Sequence, residues 1–509
     1  MFAFKGSEKE PVQDDQECND FASYPLSSIH FNSLEELDDF FNSESTRDKL
    51  FSKFSVSKEN LNWYDRYQSD SFESNHKTNL LICHDFKGGY VKDEDDSPNG
   101  YFPHPDSIRY HLRFPQLIDT FVYFSHEFIT IPPVSWINYC HKNSIKCLGT
   151  IIIEGSNLNS IDKFDYLLKT TSNGKDFIYD KLLTKLTEFF NFDGFLINFE
   201  SNCSNIRISK KVIPFIESLK SNLHNANNKN QLIWYDSYIY PQNIVYYQNG
   251  VNDLNFNFYN SSDSFLTNYF WNINNLTNNI KNIGLSGCSQ KLFVGYDIFG
   301  RNVKIGNGGF DTSMVVKLIK KYKSNIGLFA PAWCYENFNR FEFNKIDSKF
   351  WLKGTDDNDN DSILNLISPH VSPVLKTSNE EFIFYTNFCT GEGKFFAING
   401  ETLYNNNWVN TNLQSDIPIE AFNYNTNNKR FNIKINDESS YLGGNCLQIS
   451  YNELINNTNN DSIFNSSKSV FAKLFEINKE CLYRVISIKC TFKLPNLMDN
   501  IGIFQLKVG

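Results

Sequence analysis

The sequence predicts an α/β protein: a (β/α)8 TIM barrel followed by a C-terminal β-sandwich. Three observations carry that expectation. Eight short β-branched or aromatic runs alternate with helix-patterned or polar stretches between residues 79 and 333. Nearly every run ends in a polar or aromatic side chain able to do chemistry. Beyond residue 355 helical spacing stops and short alternating runs take over.

The eight runs are "NLLICHD" (79–85), "DTFVYFSH" (119–126), "KCLGTIIIE" (146–154), "GFLINFE" (194–200), "QLIWYDS" (231–237), "DLNFNFY" (253–259), "KLFVGYDIFG" (291–300) and "NIGLFAPAW" (325–333). Between them, "YDKLLTKLTEFF" (179–190) and "SKKVIPFIESLK" (209–220) space their apolar residues as a helix does. Apolar strands alternating with helices indicate a parallel sheet buried on both faces. Eight such units match a barrel, whose usual length is about 250 residues. A doubly wound open sheet is the alternative, but "HDFKGGY" follows the first run in place of a Gly-rich phosphate loop. The runs end in His84-Asp85, His126, Glu154, Glu200, Asp236, Tyr259, Asp297 and Trp333. In a barrel, the C-terminal ends of the strands form one rim, and that rim is the active face.

The barrel is assigned to residues 76–355. Residues 1–75 read as a polar, acidic extension with one helical patch, "SLEELDDFFNS". An acidic loop, "GTDDNDNDS", then leads to a β-sandwich over 365–509. Its strands would include "FIFYTNFCTG", "KFFAING", "RFNIKIND", "CLQISYN", "SVFAKLFEI", "YRVISIKCTFKL" and "IGIFQLKVG", spaced by turn signals.

Composition narrows the function. The net charge is -10 and no basic block is present, which argues against binding nucleic acid through its phosphates. No apolar stretch approaches the roughly 18 residues of a membrane span. The first residues, "MFAFKGSEKEPVQDDQECND", lack the apolar run of a secretory signal. The 11 Cys form no CxxC pair, as expected for free thiols in a cytoplasmic protein. No HxH, HExxH or GxSxG appears, so neither a metal site nor a cofactor nor a serine nucleophile is expected. An aromatic content of 16% suits an uncharged sugar substrate, although most of these rings must be core.

The fourth run concentrates the chemistry. In "DGFLINFE" (193–200), Leu196, Asn198 and Glu200 share one face of the strand, placed toward the barrel axis. Two positions along a strand span about 6.5–7 Å, so both polar groups can address adjacent atoms of one ligand. A glycosidase ordinarily uses two carboxyl groups. Here one is an amide, which cannot take a proton but can orient a hydrogen bond. That suits a substrate bringing its own nucleophile, the 2-acetamido oxygen of N-acetylglucosamine. An isolated N-x-E more often belongs to a satisfied polar core network, but a carboxylate ending a buried strand is costly unless it is paired or functional.

"DGFLINFE" resembles the catalytic strand of the family 85 glycoside hydrolases, endo-β-N-acetylglucosaminidases that release N-glycans. It also keeps the frame of the family 18 chitinase signature DGxDxDxE, with Leu196 and Asn198 in place of the two later Asp. The resemblance extends over roughly 79–340. It includes "LLICHDFKGGY", "DTFVYFSHEFITIPPVSWINYCHKNSIKCLGTIIIEG", "IWYDSY", "VGYDIFGR", "GGFDTS" and "GLFAPAWCYEN". It implies that Asn198 orients the acetamide, that Glu200 is the general acid/base and that Tyr235 helps position the reacting group. It implies a cleft walled by Phe270 and Trp271, with Trp333 and Tyr335 lining the innermost sugar pocket. Tyr247 stands where the family often has Trp, on the acceptor side. His84, Asp85 and Glu154 either contact donor sugars or make structural hydrogen bonds. The implied partners are N-glycans, glycoproteins and free oligosaccharides.

Two rivals remain at this stage. A catalytically silent glycan-binding barrel would have no need of Asn198, Glu200 and Tyr235 together. A chitinase-type hydrolase would carry Asp where Asn198 stands.

Overall fold

The computed structural model describes residues 29–45, 78–91, 109–354 and 359–451, with short internal gaps, and a few isolated positions beyond. Its centre is a closed barrel of eight parallel strands. In chain order these are β1 (Leu80–His84), β2 (Thr120–Tyr123), β3 (Lys146–Ile153), β4 (Gly194–Phe199), β5 (Gln231–Tyr235), β6 (Ser264–Leu266), β7 (Leu292–Asp297) and β8 (Asn325–Phe329). Each pairs in parallel with the next, and β8 returns to β1 through Ile326↔Leu80 and Phe329↔Cys83.

The residues explain the closure. Barrel strands are buried inside and out, so both alternating faces must be apolar. The inner face is filled by Leu81, Val122, Leu148, Ile152, Leu196, Ile233, Leu266 and Phe293. The outer face packs Ile82, Phe121, Ile151, Phe195, Ile197, Phe199 and Trp234 against the helices. Helix α1 (Val134–Lys142) follows β2, α2 (Leu158–Leu167) and α3 (Tyr179–Phe190) follow β3, and α4 (Val212–Ala226) follows β4. Helix α5 (Phe256–Ser261) follows β5, α6 (Ile273–Gln290) follows β6, α7 (Thr312–Lys321) follows β7 and α8 (Phe343–Leu352) follows β8.

One predicted strand is corrected. "DLNFNFY" forms α5, and the sixth strand is Ser264–Leu266 in the next polar stretch. Leu254, Phe256 and Phe258 alternate as a strand would. In the helix, however, adjacent Phe258 and Tyr259 are buried while Phe256 is 41% exposed. The true strand is three residues long and too short to show a period. Tyr259 therefore leaves the rim.

The N-terminal segment is more integrated than a polar extension. Ile29–Phe31 pairs antiparallel with Ile129–Ile131, which in turn pairs with β3. The helical patch forms Leu34–Asn42, capped by the Ser33 side chain, and its Phe40 packs on Phe189 and Phe190 of α3. Outer packing of the barrel runs past residue 355, because Lys320 donates to the Leu366 carbonyl of the helix Ile363–Ile367. Beyond it the described residues form small antiparallel sheets, among them Phe431–Asn436 with Cys446–Tyr451 and Phe396–Ile398 with Glu401–Tyr404. The final three predicted strands lie almost wholly outside the described residues. The C-terminal region contacts the barrel through Lys142, which donates to the Asn412 and Gln414 carbonyls, and Gln414, which donates to the Leu112 carbonyl.

Candidate active site

Strand β4 carries a structural end and a chemical end. At its start Asp193 is buried, accepts the Cys147 N–H at 2.7 Å and meets His141 Nε2 at 2.8 Å. Gly194 follows at φ 126, where an added Cβ would strike the Gln231 carbonyl. The Asp-Gly pair thus docks the strand between β3 and β5. At the other end the pleat brings Asn198 and Glu200 onto the Leu196 side, the inner face, as the alternation predicts.

Asn198 is only 5% exposed, and its Oδ1 has no hydrogen-bond partner among the described residues. Glu200 is half-buried at the rim, its N–H donating to the Ile153 carbonyl at 2.7 Å. The Tyr247 hydroxyl donates to Glu200 Oε1 at 2.8 Å. Burial pushes the Glu200 carboxyl up, and nearby Glu154 adds to this, while Tyr247, Asn198 and His126 pull it back. A carboxyl raised in this way keeps its proton to higher pH than a free glutamate, which favours a role as proton donor.

Tyr235 ends β5 on the inner face. Its hydroxyl donates to Asn268 Oδ1 at 2.8 Å. Asn268 Nδ2 donates to Asn249 Oδ1 at 2.8 Å, and the same oxygen accepts the Phe270 N–H at 3.0 Å. Burial, with the Glu200 charge behind it, holds the Tyr235 phenol well above its usual range, so it stays protonated. Asp236, the next residue, points into the loop after β5. It accepts from Asn255 Nδ2 at 2.8 Å, the Gly250 N–H at 3.3 Å and the Gln248 N–H at 3.4 Å.

Glu154 and His126 pair at the rim, Nδ1 to Oε1, at 2.9 Å. Across it, Arg301 Nε meets Asp297 Oδ2 at 2.7 Å, and its guanidinium lies 3.8 Å from Asp85 Oδ2. Among the described residues no cluster of side chains fit to hold a metal ion occurs, and no helix is long and apolar enough to cross a membrane.

The sequence model of glycosyl hydrolase family 85 matches residues 90–396. The chain belongs to glycosyl hydrolase family 85. It is 34% identical over 279 residues to the cytosolic endo-beta-N-acetylglucosaminidase of Homo sapiens, covering 55% of this chain and 36% of that protein. It is 29% identical over 366 residues to cytosolic endo-beta-N-acetylglucosaminidase 1 of Arabidopsis thaliana, covering 72% of this chain and 50% of the relative. The chain spans half the length or less of these relatives. The fold is shared with the glycoside hydrolase domain of Endo-D from Streptococcus pneumoniae R6, with a TM-score of 0.60 and 17% identity over 83% of this chain and 66% of that one.

Within this family 85 barrel, the expected residues divide. Asn198, Glu200, Tyr235 and Tyr247 converge above the barrel axis, with Glu154 and Asp85 on the rim around them. Phe270 stands at the mouth, 51% exposed, with Lys304 Nζ 5.5 Å from its ring centroid. Four residues are corrected. Trp271 is 1% exposed, turned outward, with its indole N–H on the Gly295 carbonyl at 2.7 Å. His84 has outward parity on β1 and is buried among Trp136, Tyr110 and Phe121. Trp333 packs on Phe310 and Phe338 outside the barrel, and Tyr335 packs on Phe86 and Phe343. The inward places near them are held instead by Tyr269 and Phe329, whose rings lie 5.6 Å apart.

Sequence reasoning missed Asn268, Asn249, Tyr269 and Arg301. Asn268 and Tyr269 lie just past the true sixth strand, so misplacing that strand hid them. A signal existed for Asn268, because a phenol buried at Tyr235 needs an acceptor.

Proposed function

We propose that this chain is an endo-β-N-acetylglucosaminidase. It hydrolyses the GlcNAc-β1,4-GlcNAc core of N-linked glycans and free oligosaccharides with retention, using the substrate's own acetamide as nucleophile. The observation that carries the reading is the buried, unpartnered Asn198 Oδ1 beside Glu200 on the same inner face. A buried acceptor without a donor costs free energy unless a ligand supplies one. The acetamide N–H is such a donor. The names of the relatives support the activity and a cytosolic location.

In the first step Glu200 gives its proton to the glycosidic oxygen as the C1–O bond breaks. The acetamide carbonyl oxygen bonds to C1, and Asn198 holds the N–H so that this oxygen faces the ring. Tyr235, fixed between Tyr247 and Tyr269, contacts the reacting acetamide. In the second step the Glu200 carboxylate takes a proton from water as it attacks C1 and reopens the oxazoline. Two inversions give retention. Because the intermediate can also meet a sugar hydroxyl, transfer to an acceptor can compete with water.

The test is glycan release from a high-mannose glycopeptide, read by mass. Glu200→Gln is expected to abolish it. Asn198→Gln is expected to abolish it too, yet to permit transfer from a preformed sugar oxazoline. Full hydrolysis by either variant would sink the mechanism.

A further inference from the structure

We infer that Tyr247 is a positioning residue for Glu200: its phenol occupies Oε1 and leaves Oε2 as the one oxygen that exchanges protons with the substrate. The inference rests on the proposed role of Glu200 and goes beyond it. A carboxylate has two chemically equal oxygens, and rotation about its last bond would let either one face the leaving group. The 2.8 Å hydrogen bond from the Tyr247 hydroxyl breaks that symmetry. A phenol that donates to Oε1 also stabilises the ionised state left after Glu200 has given up its proton.

Tyr247 can do this only if its loop is fixed, and the structure shows what fixes it. Residues 248 and 250 donate their backbone N–H groups to the buried Asp236 carboxylate, bracketing the turn just after Tyr247. Asn249, at φ 57, ties the same turn to Asn268 and Phe270. The Tyr247 ring lies 6.2 Å from that of Tyr235, edge to face. On the other side, the Val245 N–H donates to Asn202 Oδ1 in the loop after β4. A chain of hydrogen bonds therefore runs from Glu200 through Tyr247 and Asn249 to Asn268 and on to Tyr235. The two side chains flanking the acetamide are set by the same turn.

The prediction concerns pH. The titratable groups facing Glu200 are Tyr247 from the loop after β5, Glu154 and His126 from the rim, and Tyr235 and Tyr269 from the neighbouring strand ends, and the Asn198 amide of its own strand also bonds it. Of these only Tyr247 makes a direct hydrogen bond to a Glu200 oxygen with a proton it can lose by a single-atom change. Removing the donor raises the carboxyl, so the protonated acid survives to higher pH. The alkaline fall of kcat/KM for glycan release should move up, and the acidic fall in oxazoline hydrolysis, which needs the carboxylate, should move up with it. A lost hydrogen bond to a charged group, discounted for a half-buried site, corresponds to a shift of about 0.5–1 pH unit.

The experiment compares wild type with Tyr247→Phe, which keeps the ring and its packing, over pH 4–9 on both substrates, with thermal melting as a folding control. A second arm places 3-fluorotyrosine at 247. A more acidic phenol strengthens the bond and should move both limbs the other way. Opposite shifts in the two arms support the assignment. Coincident pH profiles in an active, folded Tyr247→Phe overturn it. If Tyr247→Phe melts early, the fluorotyrosine arm decides alone, and an unmoved profile there overturns the inference. Failure of wild type itself to release glycan from the glycopeptide would instead refute the proposed function.

Discussion

Replacing Asn198 by Leu should separate catalysis from stability in opposite directions. In the free protein the Asn198 Oδ1 is buried without a partner, a condition that costs about 1–3 kcal/mol. An apolar side chain of similar size removes that cost. It also gives up the amide's contact with Glu200, a hydrogen bond worth about 0.5–1.5 kcal/mol in net terms. The balance is a gain of about 1 kcal/mol, or a rise in Tm of roughly 2–4 °C for a domain of this order of size. Activity should go the other way. Losing a hydrogen bond to an acetamide that bears charge in the transition state costs about 1.5–3 kcal/mol, a fall in kcat/KM of roughly 10–150-fold from that bond alone. Misorientation of the nucleophile adds to it. The assays are calorimetric melting without ligand and initial-rate glycopeptide cleavage. A variant that melts several degrees lower while keeping near-normal kcat/KM would show that Asn198 is an ordinary core amide. That result would refute the role of Asn198 in the proposed mechanism as well.

Two further outcomes follow from the geometry. Phe270→Ala should raise KM for a glycopeptide several-fold, while Trp271→Phe, which loses only an outward indole hydrogen bond, should leave KM unchanged and lower Tm; steady-state kinetics on both variants checks this. Burial pushes the Asp236 carboxyl up from 3.8 to about 7. The stability it contributes is fully present below about pH 4 and is lost as pH rises through about 7. Asp236→Asn should therefore flatten the fall in Tm between pH 5 and 8 relative to wild type. Glu392, pushed up to about 8 by burial, contributes to that fall in both proteins, so the difference between the two slopes is the readout.

Much of the barrel was legible because its strands are continuous apolar runs, and continuity survives without knowledge of partners. The sixth strand was not legible for the same reason reversed. Ser264–Leu266 has one serine and two apolar residues, and its identity comes from pairing with β5 and β7, which no local pattern records. The inward side of Asn198 and Glu200 could be read because a period of two admits only two choices and Asp193 to Glu200 declares polar groups near both ends. The roles of Trp271, Trp333 and Tyr335 could not. An aromatic beyond a strand end can turn into the cleft or back onto the helices, and the turn is set by neighbours such as Gly295 and Gly309. Gly309 sits so close to the Trp333 ring that an added Cβ would collide with it. The packing of residues 29–42 on the barrel was not legible because the strand is three residues long and the helix hides only Leu34, Leu37 and Phe40.

The two carboxylates of β4 show how far an accounting of polar groups can go. Asp193 and Glu200 flank strand β4, one at each end, with opposite parity. Asp193 is buried with a positive-capable imidazole and a backbone N–H on one oxygen. Those partners make it part of the joint between β3, β4 and α1. Glu200 is less buried and, among the described residues, takes side-chain hydrogen bonds only from the Tyr247 hydroxyl, on Oε1, and the Asn198 amide. A carboxylate can accept about four hydrogen bonds, so Glu200 keeps capacity on the side that faces the cleft. Asn198 between them is in the same condition, with its donor side toward Glu200 and its acceptor side open. A folded chain gains nothing in stability from leaving these two groups under-paired at the mouth of a barrel. That unmet capacity is what the proposed mechanism uses: an acceptor for an amide N–H beside a carboxyl able to protonate a glycosidic oxygen.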